Sequence, residues 1–66
     1  MEKPKDLELK GRSDGAVNMT VSCCEIEGRK TVHVDAFNPA PYGHLGAVDV
    51  RELRKFLAAA QDWIAL

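Results

Sequence analysis

Cysteine and histidine are scarce in this 66-residue chain. It contains two cysteines, which are adjacent as Cys23 and Cys24, and two histidines, His33 and His44. Adjacent residues of a strand point to opposite faces of a sheet, so the two thiols cannot readily bridge each other. Cys23 is expected to be a small core residue, while Cys24 lies diagonal to His33 on the open face. A zinc site needs more ligands than this pair, so we expect no disulfide, no metal and no cofactor.

The motifs that carry common enzyme chemistry are absent as well. There is no glycine-rich phosphate loop, no metal-spaced His/Cys set and no nucleophile elbow. The formal net charge is −1, so the chain as a whole has no electrostatic attraction to nucleic acid or to an anionic membrane. We therefore predict a protein that is not an enzyme.

No stretch of the chain is apolar over enough residues to cross a membrane. The start, Met-Glu-Lys-Pro-Lys-Asp, is polar and is not followed by the apolar run of a signal peptide. The apolar fraction of 45% is ordinary for a globular domain and argues against disorder. The sequence predicts a single cytoplasmic domain over residues 1–66, with residues 1–6 as a frayed arm.

The last third of the chain has the periodicity of one amphipathic helix, predicted over about residues 49–65. Asp49 is a suitable N-cap, and Glu52 three residues later completes a capping box. At about 100° per residue, most of the large apolar side chains fall within one arc of roughly 140°. The members of this predicted arc are Val50, Leu53, Phe56, Leu57, Ala60, Trp63 and Ile64. Such an arc must be buried against another element.

Three stretches before the helix alternate apolar and polar residues, as strands do, at about residues 7–11, 17–26 and 29–37. The dipeptides Asp14-Gly15 and Glu27-Gly28 supply the turns, because glycine adopts the positive φ angles that tight hairpins require.

The pairing of the second and third strands follows from the second turn. If Glu27-Gly28 is a two-residue loop, paired residues have numbers that sum to 55, as 27 and 28 do. Cys23 then faces Val32, and Val21 faces Val34, on one apolar face of the sheet. A slip of one residue would mix apolar with polar side chains, so pattern and turn favour the same register.

Between the third strand and the helix lies a loop predicted over residues 38–48. Pro39 and Pro41 exclude regular strand and helix. The loop is longer than the median connection of about 4–6 residues. It carries Tyr42, His44 and Leu45, which either cover an open end of the core or form a partner-binding tip.

Together these elements predict an α+β domain of order β-β-β-α, in which the C-terminal helix packs on one face of a three-stranded antiparallel meander (order 1-2-3). The expected contacts join Phe56, Leu57, Ala60 and Ile64 of the helix to Val21, Cys23, Val32 and Val34 of the sheet. One helix covers only part of such a sheet and both edge strands stay open, which favours a homodimer or another protein partner.

Further candidate contacts lie on the helix. Trp63 is at the margin of the predicted arc and Leu66 is outside it, and clustered exposed apolar groups of this kind mark interfaces. Arg51, Arg54 and Lys55 form a basic patch on the outer helix face, which is either a solvated surface or a contact for a phosphate or an acidic partner.

These features lead to two functional hypotheses. The first is a small non-catalytic protein-interaction module that self-associates and docks, as an adaptor or inhibitor, onto a larger protein or complex, by analogy with small proteins of mobile elements. The alternative is an accessory nucleic-acid-binding protein that uses the basic patch. A helix-turn-helix is excluded, because residues 38–47 cannot form the preceding helix.

Overall fold

A computed structural model describes residues 2–10, 17–37 and 44–65. Its elements are β1 (Leu7–Leu9), β2 (Asn18–Ile26), β3 (Arg29–Phe37) and α1 (Ala47–Ile64). The strands form one antiparallel sheet in the order β1-β2-β3, which confirms the predicted α+β fold. The predicted turn at Asp14-Gly15 and most of the loop at 38–48 lie outside the described residues.

The β2–β3 hairpin has the predicted register. Its pairs run from Asn18↔Phe37 to Ile26↔Arg29 and include Val21↔Val34. Glu27 and Gly28 have φ angles of 51° and 78°, as both central residues of a type I′ turn require. Turn chemistry and strand periodicity thus specify the same pairing.

β1 is shorter than the predicted strand at 7–11. It pairs with β2 from Leu7↔Val21 to Leu9↔Met19, so both leucines join the apolar face of the sheet as predicted. β1 therefore pairs only with the first half of β2, and the part of the hairpin nearest the Glu27-Gly28 turn has no β1 residue beside it.

The core lies between this apolar face and α1. Its central cluster consists of Val21, Cys23, Phe56, Ala60 and Trp63, and Val21 has no exposed surface at all. Leu9 of β1 is buried as well, at 4% exposed. Around this cluster pack four half-buried side chains, those of Leu7, Met19, Val32 and Leu53. Cys23 occupies the core position that the sequence predicts.

The helix begins earlier than its predicted start. Gly46 is the N-cap, with extended backbone angles of φ −78° and ψ 173°, and no side chain caps the helix. Asp49 lies inside the first turn, where a carboxylate is favoured by the helix dipole, and is only 4% exposed. The predicted Asp49 cap and its capping box with Glu52 are therefore wrong, because glycine starts the helix upstream of them.

Across the described ranges, no helix is both long and apolar enough to span a membrane.

Candidate protein-docking surface

The buried face of α1 is rotated from the arc that the sequence predicts. The helix residues buried against the sheet include Phe56, Ala60 and Trp63. This face is turned by about 40° from the centre of the predicted arc. Leu57 and Ile64, which were expected in the core, are 44% and 42% exposed, so that expectation is wrong.

Three exposed apolar residues form a stripe along one flank of the helix. Val50, Leu57 and Ile64 are each seven residues apart, and Val50 is 43% exposed. Seven residues correspond to nearly two full turns, so the three side chains line up. We call Val50, Leu57 and Ile64 the helix stripe.

The helix stripe lies on the side of α1 nearer to β3. The helix starts beside the beginning of β2, where the Val17 N–H donates to the His44 carbonyl at 3.1 Å, and ends beside Lys30, near the start of β3. Viewed from the helix side with β2 pointing up, the hairpin register places β3 on the left. Phe56 faces the sheet. In a right-handed helix that runs upward, the helix stripe lies about 80–120° further around the helix from Phe56, and it therefore also faces left, toward β3.

The strip of β3 next to the helix stripe is also uncovered. Val34 and Ala36 share the sheet face on which α1 packs, because they pair with the inward-facing Val21 and Met19. Val34 is nevertheless 54% exposed, and Ala36 is exposed. The expectation that Val34 packs under the helix is wrong, since α1 leaves this corner of the sheet open.

The outer edge of β3 carries unpaired backbone groups. Ile26 and Arg29 close the two-residue turn as a hydrogen-bonded pair, so the odd-numbered residues of β3 bond to β2. The N–H and C=O groups of Lys30, Val32, Val34 and Ala36 therefore point away from β2. Within the described ranges no strand pairs with this edge.

We call the combination of this edge, the exposed Val34 and Ala36, and the helix stripe the edge groove. Val34 and Ala36 form its apolar floor and the helix stripe forms its apolar wall. The outward backbone groups of β3 form its rim and supply a row of hydrogen-bond donors and acceptors. Exposed apolar surface beside an unpaired strand edge is typical of surfaces at which proteins associate. The sequence pattern predicts that Val34 and the helix stripe are buried, but α1 turns Phe56, Ala60 and Trp63 toward the sheet and leaves its β3 side uncovered.

Trp63, predicted to be an exposed contact, is 6% exposed and belongs to the core. The Lys30 ammonium lies 5.3 Å from the centroid of its ring and donates a hydrogen bond to its backbone carbonyl at 3.2 Å. The predicted exposure of Trp63 is wrong, because the rotation of α1 turns this indole under the helix. Leu66 lies outside the described residues.

The predicted loop contacts are described only in part. His44 is exposed and Leu45 is half-buried, while Tyr42 lies outside the described residues. The hydrogen bond from Val17 to the His44 carbonyl ties this segment to the beginning of β2. The partner-binding role of these residues stays a prediction.

Cys24 belongs to a cross-strand pair on the open sheet face. The Thr31 hydroxyl donates to the Cys24 carbonyl at 3.0 Å, and the Cys24 thiol lies 3.2 Å from the Thr31 oxygen. Both cysteines are free thiols, and burial raises the pKa of Cys23. No cluster of three or more His, Cys, Asp or Glu residues suited to a metal occurs in the described part of the chain.

The basic patch lies on the solvent side of α1, as predicted. Arg51, Arg54 and Lys55 are all exposed. The Lys55 ammonium is 3.9 Å from the Glu52 carboxylate, one turn away, which is a weak surface ion pair. Neither arginine makes an ion pair with any residue that the structure describes.

Comparison of the chain with protein-family models, curated proteins and solved structures gave no match.

Proposed function

We propose that this chain is a non-catalytic protein-interaction module of the cytoplasm that docks onto another polypeptide through the edge groove. The observation that carries the proposal is the exposure of Val34, at 54%, and Leu57, at 44%, beside the outer edge of β3, with which no described strand pairs. Two free thiols in so small a domain are in keeping with a reducing compartment.

The chemistry of the edge groove favours a partner segment in extended conformation. Such a segment adds a strand to β3 by bonding to the outward backbone groups of Lys30, Val32, Val34 and Ala36. Its alternate side chains then point toward the helix stripe, so apolar residues at every second position fit best. An adaptor or inhibitor of a larger protein could act by binding through this surface alone, without catalytic residues.

The test uses one substitution inside the groove and one beside it. Leu57→Glu places a carboxylate on the helix stripe, whereas Ala58→Glu places the same group on the neighbouring exposed residue, about 100° further around the helix. Tagged wild type, Leu57→Glu and Ala58→Glu are used to capture proteins from a lysate of the source cells, after circular dichroism shows that all three are folded.

We expect a protein that is retained by wild type and by Ala58→Glu and is lost with Leu57→Glu. Retention by all three folded baits would place docking elsewhere on the domain and would contradict the proposal.

A second candidate function, binding to nucleic acid, is favoured by the exposed Arg51 and Arg54 beside Lys55 on the solvent side of α1. Phosphate contacts release counterions, so such binding weakens steeply as salt rises. Titration of single- and double-stranded oligonucleotides at several salt concentrations tests this candidate. Arg51→Ala/Arg54→Ala should then reduce the salt slope, and salt-independent or absent binding would remove the candidate.

A further inference from the structure

The occupant of the edge groove can be specified further, on the basis of the proposed function. We propose that a second copy of this chain pairs with it, β3 against β3 and antiparallel, about a two-fold axis that passes midway between His33 of one copy and His33 of the other. The two sheets then join into one, and each β3 supplies the extended segment that the other edge groove accepts.

The proposal starts from the self-complementarity of β3. When paired numbers sum to 66, all nine residues of the strand find partners, from Arg29 opposite Phe37 to Phe37 opposite Arg29. Lys30, Val32, Val34 and Ala36, whose backbone groups point outward, then form the hydrogen-bonded pairs of the new ladder.

The same register matches the side chains on the groove side of the sheet. Val32 of one copy faces Val34 of the other, and this happens twice because of the two-fold axis. A shift to a sum of 64 places Lys30 against Val34, and a shift to 68 carries both Arg29 and Lys30 beyond the end of the opposing strand. The sum of 66 is therefore the register that places the exposed Val34 of each copy against the half-buried Val32 of the other while using the whole strand.

Charge also favours the antiparallel arrangement. β3 carries Arg29 and Lys30 at its start and Asp35 near its end. Antiparallel pairing brings Asp35 of one copy diagonal to Arg29 of the other, within reach of this long side chain. Parallel pairing would instead place like charges side by side.

The helices complete the interface. A two-fold axis perpendicular to the sheet keeps both copies of α1 on the same face. The helix stripe of each copy lies on the β3 side, so the two stripes face each other above the new seam. Val50, Leu57 and Ile64 thereby gain a cover that the single chain does not provide.

The first experiment measures self-association by sedimentation over a range up to about 1 mM, which detects weak dimers. We expect a dimer for wild type and for Ala58→Glu, and an affinity at least about tenfold weaker for Leu57→Glu. A wild-type monomer throughout this range would overturn the inference.

The second experiment tests the two-fold axis with a single new thiol in a Cys24→Ser background. In the proposed register, His33 of one copy and His33 of the other form a non-hydrogen-bonded pair. Their Cα atoms are then about 4.5 Å apart, which lies within the range of a disulfide. His33→Cys should therefore form a covalent dimer on mild oxidation. Thr31→Cys should not cross-link alone but should cross-link when mixed with Asp35→Cys.

The outcomes separate this inference from the proposed function. A dimer that survives Leu57→Glu and does not cross-link through His33→Cys would use another surface, which overturns the inference. If the chain is a monomer but Leu57→Glu still loses a captured protein, the docking function holds and only the self-pairing fails. If the chain is a monomer and Leu57→Glu captures what wild type captures, both proposals fail.

Discussion

Lys30 on β3 binds the C-terminal end of α1 by contacting both the backbone carbonyl and the ring of Trp63. Its ammonium donates to the Trp63 carbonyl at 3.2 Å and lies 5.3 Å from the centroid of the indole ring. The last turn of α1 contains no basic residue of its own, so a side chain from the sheet supplies the positive charge that the helix dipole favours there.

Loss of this cation should destabilise the domain measurably. We expect Lys30→Met, which keeps most of the apolar stem, to lower the free energy of unfolding by about 1–2 kcal/mol, through the lost charged hydrogen bond and cation–π contact. Trp63 is the single tryptophan of the chain, so its fluorescence in a urea titration reports the change.

The matched control for Lys30 is Lys55, whose ion pair with Glu52 is on the surface. Lys55→Met should change the free energy of unfolding by less than about 0.5 kcal/mol. Equal effects of the two substitutions would show that the Lys30–Trp63 contact contributes nothing.

Two valines of one cross-strand pair should differ sharply in their importance for stability. Val21 has no exposed surface, whereas Val34 opposite it is 54% exposed. Val21→Ala should cost about 2–3 kcal/mol because it leaves a cavity, and Val34→Ala less than about 1 kcal/mol. Urea titrations in dilute solution, where self-association is minimal, give both values. A large cost at Val34 alone would mean that α1 covers β3.

The β2–β3 turn offers a stabilising substitution. Glu27 adopts a φ of 51°. Asparagine adopts such a positive φ at a lower free-energy cost than most other residues, including glutamate. Glu27→Asn should raise the free energy of unfolding by about 0.5–1 kcal/mol. Thermal denaturation measures it, and no gain would mean that strain at Glu27 is already relieved.

Gly28 provides the opposite case in the same turn. Its φ is 78°, and an added Cβ would have no atom within 4 Å, so any cost of Gly28→Ala comes from the backbone conformation alone. We expect Gly28→Ala to lower the free energy of unfolding by about 1 kcal/mol, measured by the same thermal denaturation as Glu27→Asn.

Stability should also depend on alkaline pH through Cys23. Burial raises the pKa of this thiol, so the unfolded chain loses the proton at a lower pH than the folded chain does. The thiol therefore contributes stability that is fully present below about pH 9 and declines as the pH rises through the raised pKa. Urea titrations from neutral to alkaline pH should show this decline for wild type and for Cys24→Ser.

Cys23→Ala should show a smaller alkaline decline than wild type, although its stability at neutral pH is lower because of the cavity. If Cys23→Ala and wild type lose stability in parallel, other groups account for the effect.

The sheet was predictable because its determinants are local. Alternation with a period of two and the Glu27-Gly28 turn each specify the same register, so the pairing of Val21 with Val34 followed from the sequence. The fold class followed as well, because one apolar helical arc and one apolar sheet face must cover each other.

The rotation of α1 was not predictable in the same way. The sequence shows which side chains are apolar, but burial depends on which part of the sheet lies beneath them. Leu57 and Trp63 are both within the predicted arc, yet the first is exposed and the second buried. The candidate site arises from this difference, so it could not be identified from the pattern alone.

The outer edge of β3, which no described strand covers, would have a consequence for how the protein responds to changes in its own amount. In the proposed pairing, self-association and docking to a different protein would compete for the same backbone groups, so only the unpaired monomer would dock. When most chains are paired, mass action makes the monomer concentration rise as the square root of the total, so doubling expression increases it only about 1.4-fold. The proposed pairing would thus buffer the docking-competent form against fluctuations in how much protein the cell makes.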